Sequence, residues 1–123
     1  MLAAPSTARA QHHWKEIGRT SAGNPVYVDP ATIKKEHGIT HALLRVRFTQ
    51  PVQTPQGTWT ASHTSAMFDC AAHKFAVKEN TYYIDEAKNK IAEHKVVGIP
   101  GYAEPLDGSL SQVATDYFCP KKK

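Results

Sequence analysis

The sequence contains no apolar run near the roughly 18 residues that a membrane-crossing helix needs, so no transmembrane segment is expected. It has two cysteines in 123 residues, Cys70 and Cys119, and no Cys-x-x-Cys spacing of the kind found in zinc ribbons and thiol oxidoreductases. There is no internal repeat, no nucleophile elbow and no paired-carboxylate motif. Ser62, His63, Ser65, Asp69 and His73 lie close together, but residues this common co-occur by chance, and the chain reads as a non-enzyme. Also missing are exposed aromatics interleaved with basic residues on one face. Tyr82 and Tyr83 offer little of that pattern, so no nucleic acid is expected as partner.

What is present describes an ordinary folded domain. Hydrophobic residues make up 41% and charged residues 21% of the chain, which fits one globular domain with a modest core. The net charge of +4 is less informative than it looks, because Lys121, Lys122 and Lys123 are consecutive at the C-terminus. Such a run reads as a solvated tail. At the other end, Ala8-Arg9-Ala10 before Gln11 has the small-x-small form of a signal-peptidase site. Residues 1–12 are therefore read as a leader remnant or flexible tail, 13–119 as a single domain, and 120–123 as a basic tail.

Within the domain the period is mostly two. "HHWKEIG" (His12 to Gly18) reads as a first strand anchored by Trp14, and "NPVYVD" (Asn24 to Asp29) as a second. "PATIKKEHG" opens on proline and closes on glycine, the asymmetry of one or two helical turns. In "THALLRVRFTQP" (Thr40 to Pro51), Leu44, Val46 and Phe48 alternate with Leu43, Arg45 and Arg47, giving one apolar and one basic face. "TPQG" makes a turn into Thr58 to Cys70. There Ala66, Phe68 and Cys70 face inward and His63, Ser65, Met67 and Asp69 outward. His73 to Asp85 places Phe75 and Val77 inward, with a turn expected at Glu79-Asn80. "NKIAEHKVVG" reads as a further strand and "IPGYAEPLDG" as an irregular connection.

The last element changes period. Leu110, Val113, Ala114, Tyr117 and Phe118 fall at i, i+3, i+4, i+7, i+8, the stripe of an amphipathic helix. Ser109 and Gln112 have capping-box spacing, and Pro120 stops the helix before Cys119. One helix cannot bury its stripe alone. The expected fold is therefore α+β: an antiparallel β-sheet meander of about six strands, with a C-terminal amphipathic helix packed across one face.

Two cysteines can be buried thiols, metal ligands or a disulfide. Cys70 points inward from a central strand and Cys119 stands where the helix leaves the sheet. In a chain with an export signal these suggest a bridge; the other reading is two buried thiols of a cytosolic protein. "WKEIG", "VYVDPATIKKEHG", the long strand ending "RFTQP", then "FDC" and a terminal helix ending in "FC" resemble the surface-adhesin protein E domain from Trp14 to Cys119. That resemblance implies an exported protein of a Gram-negative bacterium, in the periplasm or at the cell surface, with its helix tethered across the sheet by a disulfide. It also implies a binding domain for a protein partner, possible homodimerisation, and, from the family's namesake, host matrix proteins and haem as ligands. The alternative function is a soluble periplasmic inhibitor, immunity-like or envelope-maintenance protein.

Seven histidines invite a metal or haem site. Adjacent His12 and His13 point to opposite faces of a strand, and no metal site is expected. His41 shares a face with Arg45 and Arg47; the three form a candidate patch for an anionic ligand or haem propionates, against the plainer reading of a solvated strand face. No cofactor is called for.

Overall fold

In the computed structural model, residues 12–120 are described; the leader reading of the N-terminus and the lysine tail lie outside them. Seven strands run in chain order: β1 (Lys15–Arg19), β2 (Pro25–Val28), β3 (Lys34–Glu36), β4 (Ile39–Thr54), β5 (Gly57–Asp69), β6 (Lys74–Asp85) and β7 (Lys90–Val96). They form one antiparallel sheet, ordered β1-β2-β4-β5-β6-β7, with β3 pairing to β4 beside β2. One helix, α1 (Leu110–Phe118), follows. This is the expected α+β meander, with one more strand than the six anticipated.

The long hairpin β4–β5 is the centre of the sheet, and its alternation is the one read from sequence. Thr40, Ala42, Leu44 and Val46 are buried while the residues between them are not. Val28, Ala42, Leu44, Ala66 and Phe68 line the inward face and meet Ala114 and Cys119 from the helix end. Phe68 and Phe118 rings are 4.9 Å apart. Cys70 and Cys119 are bridged with Cα atoms 5.0 Å apart, closing a separation of 49 residues. In the chain-entropy account such a loop contributes about 4 kcal/mol.

Four local expectations are corrected. First, "PATIKKEHG" is not helical throughout: a single 3₁₀ turn at Pro30–Thr32 gives way to β3. His37 and Gly38 then form a two-residue hairpin loop between the paired Glu36 and Ile39. Both loop residues have positive φ, 53° and 80°, as a tight primed turn demands. Second, β6 does not turn at Glu79-Asn80. Ser65 lies opposite Glu79 and Ala66 opposite Val77, so Lys78 is the extra residue of a β-bulge in a continuous strand.

Third, the helix buries a face rotated from the expected stripe. Ser111, Ala114 and Thr115 are buried, whereas Tyr117 is exposed. The helix and β1 approach closely, since a Cβ on Gly18 would lie 2.7 Å from Val113 Cγ1, and the small Ser111, Ala114 and Thr115 fill the buried face. Tyr117 sits at its flank, where Lys15 Nζ donates to its hydroxyl at 3.1 Å. Fourth, Ser109 is the N-cap as read, but the reciprocal half of the capping box is made one residue earlier. Ser109 Oγ accepts from Ser111 N–H at 3.2 Å, and Gln112 Oε1 accepts from Gly108 N–H at 2.6 Å rather than from Ser109.

Candidate binding surface

The sheet face away from the helix carries the polar residues of the alternation. Arg45 on β4 is paired in register with His63 on β5 and with Tyr27 on β2, so three side chains of different chemistry share one face. Glu86 follows β6 in the loop to β7 and turns back over this row. Arg45 donates to it twice, from Nε and from a terminal nitrogen, both at 2.7 Å. His63 Nε2 lies 2.6 Å from the same carboxylate. A two-point guanidinium–carboxylate pair fixes both partners in orientation as well as distance.

Aromatic rings enclose this ion cluster. The Arg45 guanidinium lies 4.8 Å from the Tyr27 ring centroid and 5.9 Å from Trp14, within cation–π range. His63 contacts Trp14 and Tyr83 at 5.1 and 4.6 Å between centroids. His12 tilts against Trp14 and is 2.5 Å from the buried carboxylate of Asp29, which also accepts from Ala31 N–H and so starts the 3₁₀ turn. Burial works against the ionised form of Glu86, but hydrogen bonds from His63 and Arg45, reinforced by their charges, outweigh it and hold its carboxyl at about 2. The hydrogen bond to Glu86 in turn raises Arg45 above the ordinary guanidinium value, against the effect of burial. Burial, with help from Glu86, pushes the Tyr83 phenol up.

The patch read from sequence is therefore divided. His41, Arg45 and Arg47 do share a face, but they lead to three different environments. Arg45 is engaged by Glu86, Arg47 is exposed to solvent, and His41 accepts a hydrogen bond from Lys78 Nζ at 3.1 Å. Sequence reasoning missed Glu86, 41 residues from Arg45 and in a loop, and missed Lys78, whose aim depends on the bulge. His37 and His41 are spaced as a helical metal-binding pair would be, but the hairpin turn sets them on different elements. Among the described residues no group of three or more His, Cys, Asp or Glu could hold a metal ion, and no helix is long and apolar enough to cross a membrane.

The arrangement of the elements finds a counterpart among known proteins. The family model for surface-adhesin protein E matches residues 14–119. The chain belongs to the adhesin E family. No curated protein matches it in sequence. Solved structures of Haemophilus influenzae protein E share the fold of this adhesin E domain at 12% identity, with a TM-score of 0.57 over 94% of this chain and 89% of that one. A second crystal form gives a TM-score of 0.55 at 12% identity, over 91% and 89%. Protein E from non-typeable Haemophilus influenzae gives 0.52 at 13% identity, over 90% and 78%. At such identity the likeness concerns the fold. The pairing of Arg45, His63 and Glu86 is a property of this adhesin E domain that its own residues establish.

Proposed function

We propose that this adhesin E domain is an exported, non-enzymatic binding module that takes a protein partner, a host matrix protein being the class its family suggests. The observation that carries this reading is the set of large hydrophobic side chains left exposed from the end of β7 through the connection to the helix. Strand β7 is the last in the sheet order and ends on Val96, which is 65% exposed; in the connection that follows, Ile99, Tyr102 and Leu106 are 91%, 40% and 70% exposed. Large hydrophobic side chains left this open support an interaction surface, and a terminal strand can accept a partner's extended segment by main-chain pairing.

Three measurements test the reading. On intact cells of the source bacterium, added protease is expected to cleave the displayed protein; complete protection favours the alternative, a soluble periplasmic protein. On immobilised matrix proteins, Ile99→Glu and Val96→Lys are expected to weaken binding at least tenfold while leaving the fold intact by circular dichroism. Undiminished binding by both variants would move the interface elsewhere. Sedimentation of the same variants separates this partner from a second copy of the chain: loss of a dimer, with no matrix binding in the parent, assigns the edge to self-association.

A further inference from the structure

The face that carries Arg45 has a second feature nearer the β3 end of the sheet, a cleft of about 490 Å³ lined by Lys34, Glu36, His41, Ser65, Lys78 and Glu79 among others. Three pieces of local structure build it. The short strand β3 sets Lys34 directly opposite His41, so their side chains share a face. Ser65 stands opposite Glu79 on the neighbouring pair of strands. Between them the bulge re-aims Lys78, as bulges do beside functional sites, and its carbonyl is held by Val97 N–H at 2.9 Å.

The charges in this cleft are not matched in the way that Arg45 is matched by Glu86. Lys78 Nζ approaches His41 Nδ1 at 3.1 Å. An ammonium can only donate, so Nδ1 accepts and the imidazole proton is on Nε2. Nε2 lies 4.0 Å from Glu36, beyond hydrogen-bond range. Glu79 is already engaged by His94 at 2.5 Å. Among the described residues, no ion pair within 4.0 Å involves Lys34 or Lys78. Two ammonium groups and an imidazole N–H thus line a single recess without a carboxylate partner for either lysine.

We propose that this cleft binds a small hydroxylated organic anion. Its carboxylate or phosphate is held by Lys34, Lys78 and the Nε2–H of His41, and its hydroxyl groups donate to Glu36 and Glu79. The cations ask for an anionic group. The two carboxylates ask for hydroxyl donors on the same molecule, because they would repel an anion that offered none. The volume is that of a small-molecule site and exceeds what a bare oxyanion fills. This inference does not rest on the edge-strand reading above, and its test uses small molecules rather than cells or matrix proteins.

The experiment is a titration of the ¹⁵N-labelled protein followed by amide NMR. The probes are glucuronate and glucose 6-phosphate, with glucose as the neutral control and inorganic phosphate as the bare ion. At least one hydroxylated anion is expected to give saturable shifts at His41, Ser65 and Lys78, and Lys78→Met is expected to weaken it at least tenfold. Which probe binds decides between a carboxylate and a phosphate. Lys34→Met, in an exposed strand position, serves equally if Lys78→Met does not fold. No saturable shift from either hydroxylated anion overturns the proposal. So does equal binding of glucose, equal binding of inorganic phosphate, or undiminished binding by the lysine variant.

Discussion

On the helix side of the sheet, Val28, Leu44, Ala66, Phe68 and Ala114 close a core without one ionisable side chain, and a disulfide fastens its edge. On the other side, Arg45, His63 and Glu86 close a cluster in which every member can carry charge. Both faces are well packed, yet they answer to different variables. The first depends on area removed from water and on the crosslink; the second depends on pH and on the geometry of a few hydrogen bonds. A single sheet therefore holds one face whose contacts do not titrate and one whose ion cluster loosens as Glu86 is protonated.

The comparison can be tested from its strongest expected effect downward. Removing the bridge with Cys70→Ala and Cys119→Ala together is expected to cost about 4 kcal/mol in urea unfolding; a loss under about 1 kcal/mol would mean that packing alone holds the helix. Leu44→Ala, at a fully buried position, is expected to cost about 3 kcal/mol, and to cost the same at pH 7 and pH 3. A strong pH dependence of that cost would couple the core to the charged face.

Glu86→Gln is expected to cost about 2 kcal/mol at pH 7, since it leaves Arg45 with a neutral partner in a half-buried site. Its pH behaviour has a definite sign. The folded-state value of about 2 lies below the ordinary 4.5, so the stabilisation is complete above about pH 4.5. It is lost as pH falls toward 2. The variant and the parent should converge in stability over that window; curves that stay parallel would remove Glu86 as the source of the acid response. The smallest effect is at the helix start: Ser109→Ala is expected to cost about 1 kcal/mol, and less than about 0.3 would show that Gln112 alone suffices as cap.

Much of the helix face was legible in the sequence because its rules are periodic. The alternation through Leu44 and Val46 and the 3.6-residue stripe beginning at Leu110 each say which side is covered, and both cysteines fall at the ends of such elements. Legibility failed where a single residue shifts the period. "PATIKKEHG" has the proline and glycine of a short helix, yet the same glycine, with His37, supplies the positive φ of a hairpin turn. Glu79-Asn80 looked like a turn because the bulge at Lys78 interrupts the alternation that defines a strand.

The charged face shows the other limit. Arg45 was visible as an outward basic residue, but its partner comes from a loop two strands away in space. Neither hydropathy nor spacing distinguishes Glu86 from any other loop acid. Tyr117 was misplaced for a related reason: helical periodicity sets the angular spacing of a stripe, whereas its rotation against the sheet depends on contacts with other elements, such as the close approach of Val113 to Gly18.

The bridge also changes how the molecule transmits force. A pull applied between residues on either side of it, such as Trp14 and Pro120, runs along the chain to Cys70 and crosses directly to Cys119. The intervening residues, which include β6, β7 and the helix, carry no tension. About 160 Å of contour length, corresponding to the 49-residue separation, is withheld from extension. Stretching such a module would give a short, stiff event confined to β1 through β5, with the β7 edge on the unloaded side of the crosslink and the cleft divided, Lys34 and His41 on the loaded segment and Lys78 and Glu79 on the unloaded one.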